Sequence, residues 1–276
     1  MNKFCFNNIY NIDIMEALKG LSSKSVDMVY GDPDYNVGIK YNDKSYTKNF
    51  NEYMEWYEEL SKESLRVLKN DGNLFLINYP KQNAYLRVKY LDNACYEVSD
   101  YVWVYNTNVG HSPKRFTTGH RSILHCRKTK NNKFYKENVA VPYKNPNDKR
   151  ILENIRNGSK GRMPYDWFYF DLVKNVSKDK TFHPCQIPAG LVEMLIKAST
   201  KENDKVVILF GGSGNEVLLC KSLKRQFFSA EMDKQYYNMI TDRLKNGGII
   251  NKEYKLQSTN NGGVKSFCFQ KELISV

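Results

Sequence analysis

The chain alternates short unbroken apolar runs with longer segments whose apolar residues recur at helical spacing. Val26-Asp27-Met28-Val29-Tyr30 and Val206-Val207-Ile208-Leu209-Phe210 have the length and β-branched or aromatic character of strands buried on both faces. Phe4 to Tyr10, Asn73 to Ile77, Tyr96 to Tyr105, Arg121 to Cys126 and Gln226 to Ala230 predict further strands. Phe50 to Leu68 predicts a helix, with Tyr53, Trp56, Tyr57 and Leu60 on one face and Asn70-Asp71-Gly72 as its stop. Ile14 to Leu21, Ala189 to Ser199 with Pro188 at N1, Asn215 to Lys224, and Asp233 to Leu244 predict the other helices. Strands alternating with helices imply an α/β fold, a mostly parallel sheet with helices on both faces.

Three stretches fall outside that rhythm. Asn36 to Asn49 is polar and Tyr-rich and predicts a mobile loop after the first apolar run. Lys130 to Lys180 lacks periodicity and reads as an insertion rather than a sheet element. The tail beyond Ile249, with Asn260-Asn261-Gly262-Gly263, suits either a hairpin or a loosely ordered end. There is no internal repeat and no low-complexity segment.

Candidate chemistry sits where two strands end. Gly31-Asp32-Pro33-Asp34-Tyr35 presents an acid, a proline and an aromatic together at a strand's carboxyl end, where open α/β sheets bind ligands. An acceptor-only carboxylate beside an aromatic face suits an exocyclic amine on a stacked nucleobase; the same residues also suit an ordinary turn. The second strand runs into Gly211-Gly212-Ser213-Gly214 and then a helix, so backbone can approach a nucleotide-like ligand closely. Glu231 closes the next strand about twenty residues on, where a ribose diol is gripped.

In order and spacing these motifs resemble the amino-methyltransferases of DNA, in the beta-class group whose catalytic motif precedes the cofactor loop, found in restriction–modification systems. Asp32-Pro33-Asp34-Tyr35 resembles their Asp-Pro-Pro-Tyr motif, Phe210-Gly211-Gly212-Ser213-Gly214 their Phe-x-Gly-x-Gly loop, and His183-Pro184-Cys185-Gln186-Ile187-Pro188 their His-Pro-Thr-Gln-Lys-Pro segment. The resemblance spans about 220 residues, roughly Asn11 to Leu244. Two positions depart from it: Asp34 replaces a proline, and Ile208-Leu209 replace an Asp-Pro pair before the loop. The resemblance implies a Rossmann-like methyltransferase sheet in permuted order, S-adenosylmethionine as donor and adenine-N6 in double-stranded DNA as acceptor, with the base flipped out. Cytosine-N4 is the alternative, since both bases carry an exocyclic amine. It further implies a cognate restriction endonuclease acting on the same site and admits a homodimer.

By the same resemblance Asp32 accepts one amine hydrogen, the Pro33 carbonyl another, and Tyr35 stacks on the extruded base. Cofactor contacts fall to Asp13, Asp32, His183, Gln186, Phe210, Gly212, Ser213, Gly214 and Glu231; Asp13 equally suits a helix N-cap, and His183 a turn before Pro184. Residues 1–128 form the catalytic half, 129–180 an inserted target-recognition region, 181–248 the cofactor-binding half and 249–276 the tail.

Charge sharpens the insertion's role. The net charge is +12 over 276 residues, and Asn106 to Lys180 holds 17 Lys and Arg against 6 Asp and Glu, +11 of it. Interleaved with aromatics from Phe116 to Tyr169, this suits a polyanion surface, with a solvated basic face as the alternative. Lys114, Arg115, Lys133, Lys136, Lys144 and Lys160 are the candidate backbone contacts. Arg156 and Arg162, flanked by Gly158 and Gly161, are the candidate base readers. Six cysteines without a CxxC pair, and His111, His120 and His125 without accompanying acids, predict no structural metal and a reducing compartment. Without a signal peptide or a spanning apolar run, the expectation is a cytoplasmic protein. A Rossmann oxidoreductase and a non-catalytic nucleic-acid binder are the competing classes. The first normally opens the chain with its glycine loop, whereas this loop follows residue 205; the second has no use for the acid-Pro-x-aromatic turn.

Overall fold

Val26–Gly31 is buried along its whole length at the middle of an eight-stranded sheet. The computed structural model describes residues 4–42, 44–106, 113–174, 177–178 and 180–248, and the backbone of 255–260 and 263–268. The first half contains β1 (Asn8–Tyr10), α1 (Ile14–Lys19), β2 (Val26–Gly31), β3 (Lys40–Tyr41), β4 (Lys44–Ser45), α2 (Phe50–Val67) and β5 (Leu68–Asn78). Then come α3 (Pro80–Leu86), α4 (Asp92–Ala94), β6 (Glu97–Val104), β7 (His120–Arg127), α5 (Lys149–Arg156) and β8 (Trp167–Tyr169). The second half contains α6 (Ala189–Ser199), β9 (Lys205–Ile208), α7 (Asn215–Ser222), β10 (Gln226–Ala230) and α8 (Lys234–Asn246), followed by β11 (Lys255–Asn260) and β12 (Gly263–Cys268).

The sheet order is β1-β10-β9-β2-β5-β7-β6-β8. The first five strands are mutually parallel, β7 runs antiparallel to both β5 and β6, and β8 is parallel to β6. Successive side chains point to opposite faces, so Met28, Tyr30, Val206 and Ile208 join one core with α6 and α7, while Val29, Val207 and Leu209 join another with α1 and α2. Burial on both faces explains why these strands read as continuous apolar runs rather than alternating ones. The consequence for function is register: Met28, Val29 and Tyr30 lie opposite Val206, Val207 and Ile208, so the two loops that follow these strands emerge side by side.

Several boundaries differ from the sequence expectation. The first strand is only Asn8–Tyr10, because Asn7 takes a left-handed turn (φ 63°) and the Phe4 and Phe6 rings fold back against Phe228. Asn70-Asp71-Gly72 lies inside β5, at a register irregularity opposite β2. A Cβ at Gly72 would fall 2.8 Å from the Asp27 carbonyl, so glycine there permits close strand pairing rather than ending a helix. Pro188 is the N-cap of α6, not its first residue, with extended ψ of 126°. The Asn36–Asn49 segment contains the small β3–β4 hairpin. In the tail, Asn260 pairs with Gly263 across an antiparallel hairpin whose two turn residues lie outside the described residues.

The insertion does supply a sheet element. Trp167–Tyr169 pairs with Val102–Val104 at the sheet edge, a three-residue strand too short to show a period. Its α-helix, α5, buries none of its residues.

Candidate active site

The Gly31 backbone is squeezed between Leu209 and Leu76, where a Cβ would lie 2.7 and 2.9 Å from their side chains, and the chain then turns out of the sheet at Asp32. The Tyr35 hydroxyl donates to Asp32 Oδ1, and the Tyr35 carbonyl accepts from Gln82. Arg121, from β7, lays its guanidinium 3.8 Å from the Tyr79 ring centroid and 5.3 Å from that of Tyr35. Burial pushes the Asp32 carboxyl up to about 7; the Tyr35 hydroxyl and Arg121 pull against it, and the charge of Asp34 adds to the rise. Asp34 accepts from the Asn36 N–H, its carbonyl accepts from the Tyr53 hydroxyl, and its second carboxylate oxygen is buried with no hydrogen-bond partner among the described residues.

Beside it, the glycine loop leaves β9. Gly212 and Gly214 hold φ of +52° and +80°, conformations that favour glycine. Glu231 braces this loop: one carboxylate oxygen accepts the Gly212 N–H and the other the Asp233 N–H, both at 2.8 Å. Asp233 in turn caps α8 by accepting from Gln235 and Tyr236. Asp13 caps α1, accepting the Met15 N–H at 2.8 Å. His183 is buried, and burial holds its imidazole down to about 4, so it is neutral with Nδ1 facing the Cys185 carbonyl.

Both loops open into one cavity of about 410 Å³, within the range of small-molecule sites. Asp13, Asp32, Pro33, Tyr35, His183, Phe210, Gly212, Ser213 and Glu231, all named from sequence, line it. Gln186 and Gly214 do not. Gln186 is buried and its side-chain oxygen accepts from Thr181, tying the turn before α6; Gly214 is the left-handed N-cap of α7, packed on Ile240. Sequence reasoning missed Glu216, Trp56, Tyr41, Tyr46, Tyr236 and Arg121. The first five line the cavity and Arg121 backs Tyr35. Their separation in sequence left no spacing to read.

The cavity fits a cationic nucleoside. Ile12, Met15, Trp56 and Phe210 give apolar walls for a flat ring, Asp13 and Glu231 stand near the glycine loop, and acids outnumber the lysine and histidine that share the lining. Among the described residues no cluster of His, Cys, Asp or Glu is arranged to hold a metal ion, and no helix is long and apolar enough to cross a membrane. His111 lies outside the described residues.

The basic candidates scatter. Lys133 bonds the buried Asp27 carboxylate at 2.7 Å, alongside Lys69 at 2.8 Å, and so ties the insertion to β2. The reason is electrostatic: burial raises the Asp27 carboxyl, and the two ammonium groups more than reverse this, bringing it below its ordinary value. Lys136 pairs with Glu137 and approaches Ser159. Arg162 stacks on Tyr165 and its backbone pairs with Val141. Gly161 serves that pairing, since a Cβ there would lie 2.2 Å from the Val141 carbonyl; it is not an opening for a groove. Lys114, Arg115, Lys144, Arg156 and Lys160 are exposed, with Lys144 near the Tyr165 ring and Arg115 bonded to Thr118.

A sheet of this order brings an acid-Pro-x-Tyr turn and a glycine loop on adjacent strands to one cavity, an arrangement that suits a nucleoside-dependent transferase. Residues 26–242 match the N6_N4_Mtase family, described as DNA methylase, and the chain belongs to that family. The type II methyltransferase M.HpaI of Haemophilus parainfluenzae is 32% identical over 232 residues, covering 83% of this chain and 71% of its own. The type II methyltransferase M.BglII of Bacillus subtilis is 29% identical over 246 residues, covering 84% and 67%. In fold, the PvuII DNA methyltransferase (cytosine-N4-specific) superposes with a TM-score of 0.66 at 20% identity, over 88% of this chain and 87% of that one. This is an S-adenosylmethionine-dependent DNA amino-methyltransferase of restriction–modification type, and the oxidoreductase and non-catalytic alternatives end here.

Proposed function

We propose that the chain methylates the N6 amino group of adenine at a specific site in double-stranded DNA. What supports adenine is Asp32: the resemblance assigns Asp at this motif position to adenine-N6 enzymes, whereas cytosine-N4 enzymes more often carry Ser. The observation that carries the methyl-transfer reading is the Asp32–Tyr35 bond in the cavity that the glycine loop also lines.

When bound, S-adenosylmethionine supplies an electrophilic methyl group on sulfur. Asp32 and the Pro33 carbonyl each accept an amine hydrogen, biasing the nitrogen toward tetrahedral geometry and aiming its lone pair; orientation and charge placement supply the rate. Asp32, near neutrality, also suits holding the proton that the amine sheds. Tyr35 offers its ring to the extruded base. Phe210, Gly212, Ser213, Glu231 and Asp13 would hold the nucleoside, and His183 borders the methionine end.

The exposed cations of the insertion, Lys144, Arg156 and Lys160, with Lys114 and Arg115, form the DNA-facing set, and Arg162 sets register through its stack on Tyr165. The type II relatives support a cognate endonuclease acting on the same site. A homodimer is tested by sedimentation of the purified chain. Mass spectrometry of nucleosides from DNA incubated with the protein and S-adenosylmethionine decides the base: N6-methyladenine is expected, and N4-methylcytosine alone would replace the adenine assignment.

A further inference from the structure

Glu216 stands in the first turn of α7, behind the glycine loop, and its buried carboxyl lines the cavity. No ion pair engages it among the described residues. The other acids of the lining accept hydrogen bonds, though Asp34 keeps one buried oxygen without a partner among the described residues. Asp13 accepts from Met15, Asp34 from Asn36, Glu231 from Gly212 and Asp233, Asp233 from the first turn of α8, and Asp32 from Tyr35. The strand entering the loop brings no charge, since it ends in the buried apolar pair Ile208 and Leu209. A second buried polar group lies close by: the Tyr30 hydroxyl has no hydrogen-bond partner among the described residues and lies within the field of both Glu216 and Asp32.

Arg243 acts on this carboxyl without forming an ion pair, and a buried acid outside any ion pair is costly unless a ligand supplies the charge. The methionine end of the cofactor carries two positive groups, its α-ammonium and its sulfonium. We propose that Glu216 is the carboxylate that meets this positive charge, becoming ionised as the cofactor binds. The inference rests on S-adenosylmethionine being the cofactor and adds one residue to its site.

Proton linkage follows from the surroundings. Burial pushes the Glu216 carboxyl up to about 8; its own backbone N–H pulls it down, Asp32 pushes it up and Arg243 of α8 pulls it down. Arg243 bonds the Ser213 carbonyl and the Asn215 side chain. Tyr30 faces Glu216 from β2 and Cys220 from α7, and burial raises both well above the neutral range, so neither changes charge there. At pH 7 Glu216 therefore carries a proton that cofactor binding expels.

The test is titration calorimetry of Glu216→Gln against the parent at pH 7, in two buffers of different ionisation heat. The probes are S-adenosylmethionine, S-adenosylhomocysteine and 5′-methylthioadenosine, which lacks both positive groups. The variant should lose affinity for S-adenosylmethionine by about ten- to a hundredfold, as for a hydrogen bond to a charged group. It should also release fewer protons on binding, while its affinity for 5′-methylthioadenosine stays at the parent's value. A matching loss for S-adenosylhomocysteine identifies the ammonium as the partner, and a loss confined to S-adenosylmethionine identifies the sulfonium. Glu216→Asp should recover part of both affinity and proton release. Unchanged affinity, unchanged proton release, or an equal loss for 5′-methylthioadenosine would overturn the proposal. A parent that binds none of the three would overturn the cofactor assignment with it.

Discussion

The Tyr35 hydroxyl donates to the Asp32 carboxylate across 2.5 Å, so the residue expected to stack on the base also tunes the acid expected to hold its amine. The arrangement is closed from behind: Tyr35 meets Tyr79 edge-on at 5.3 Å, and Arg121 lies over both rings. A carboxyl raised to about 7 by burial is kept usable by a donor and a cation that both favour its charged form.

Tyr35→Phe keeps the ring and removes the donor. The Asp32 pKa should then rise further, and because the carboxylate is the form that accepts amine hydrogens, activity should be lost toward low pH and gained as pH rises. The acid limb of kcat/KM should move up by about one to two pH units, since hydrogen bonds to charged groups contribute about 1.5–3 kcal/mol. A pH–rate profile of parent and variant measures this; coincident limbs would separate Tyr35 from the titration of Asp32.

Glu231→Gln should weaken S-adenosylmethionine binding, because the amide's NH₂ would face one of the two backbone N–H groups that the carboxylate now accepts. A loss of about ten- to a hundredfold is expected, with cofactor-free DNA affinity little changed. Equilibrium binding of each ligand checks the pair of statements, and parent-like cofactor affinity would reduce Glu231 to a bystander.

Much of this was legible because it depends on local pattern. The apolar runs at β2 and β9, the turns after them and Glu231 at the end of β10 all follow from short segments. The permuted adjacency of the loops does not; it is a matter of strand order, seen only in the pairing of Val29 with Val207. Glu216 went unread because an acid in a helix's first turn is ordinary helix chemistry until the fold buries it. Arg121 stands 86 residues from Tyr35, and nothing in a lone strand arginine announces a ring stack. Charge counting could not show the Lys133–Asp27 pair, since a count over a segment does not separate a cation that faces solvent from one that neutralises a buried acid.

Lys133→Met tests that pairing. Asp27 would keep Lys69 and the Lys205 N–H, so unfolding free energy should fall by about 1–3 kcal/mol at neutral pH. The folded Asp27 carboxyl lies below its ordinary value, so its stabilisation is present above about pH 3.9 and is lost as pH falls through the lower folded value. The variant should therefore lose less stability than the parent on acidification. Denaturant titrations across pH 2 to 7 read this directly; unchanged stability with a shallower salt dependence of DNA binding would return Lys133 to the DNA surface.

The exposed insertion makes a separate prediction. Arg156→Ala and Lys160→Ala should each flatten the slope of log affinity against log salt by about one unit if the side chain contacts a phosphate. If Arg156 reads a base instead, discrimination between cognate and single-mismatch duplexes should fall by about 1–3 kcal/mol. Neither change in either variant would remove the α5 region from the DNA interface.

In the proposed mechanism Asp32 orients the target amine while the fold and the cofactor site stand without it. Single-turnover transfer of a labelled methyl group from S-adenosylmethionine to duplex DNA, comparing the parent with Asp32→Ala at saturating cofactor, addresses it most directly. Transfer should fall by about two orders of magnitude or more, the loss expected when an oriented acceptor is removed, with melting temperature and cofactor affinity near the parent's. An Asp32→Ala protein that transfers methyl at near the parent's rate would contradict the account.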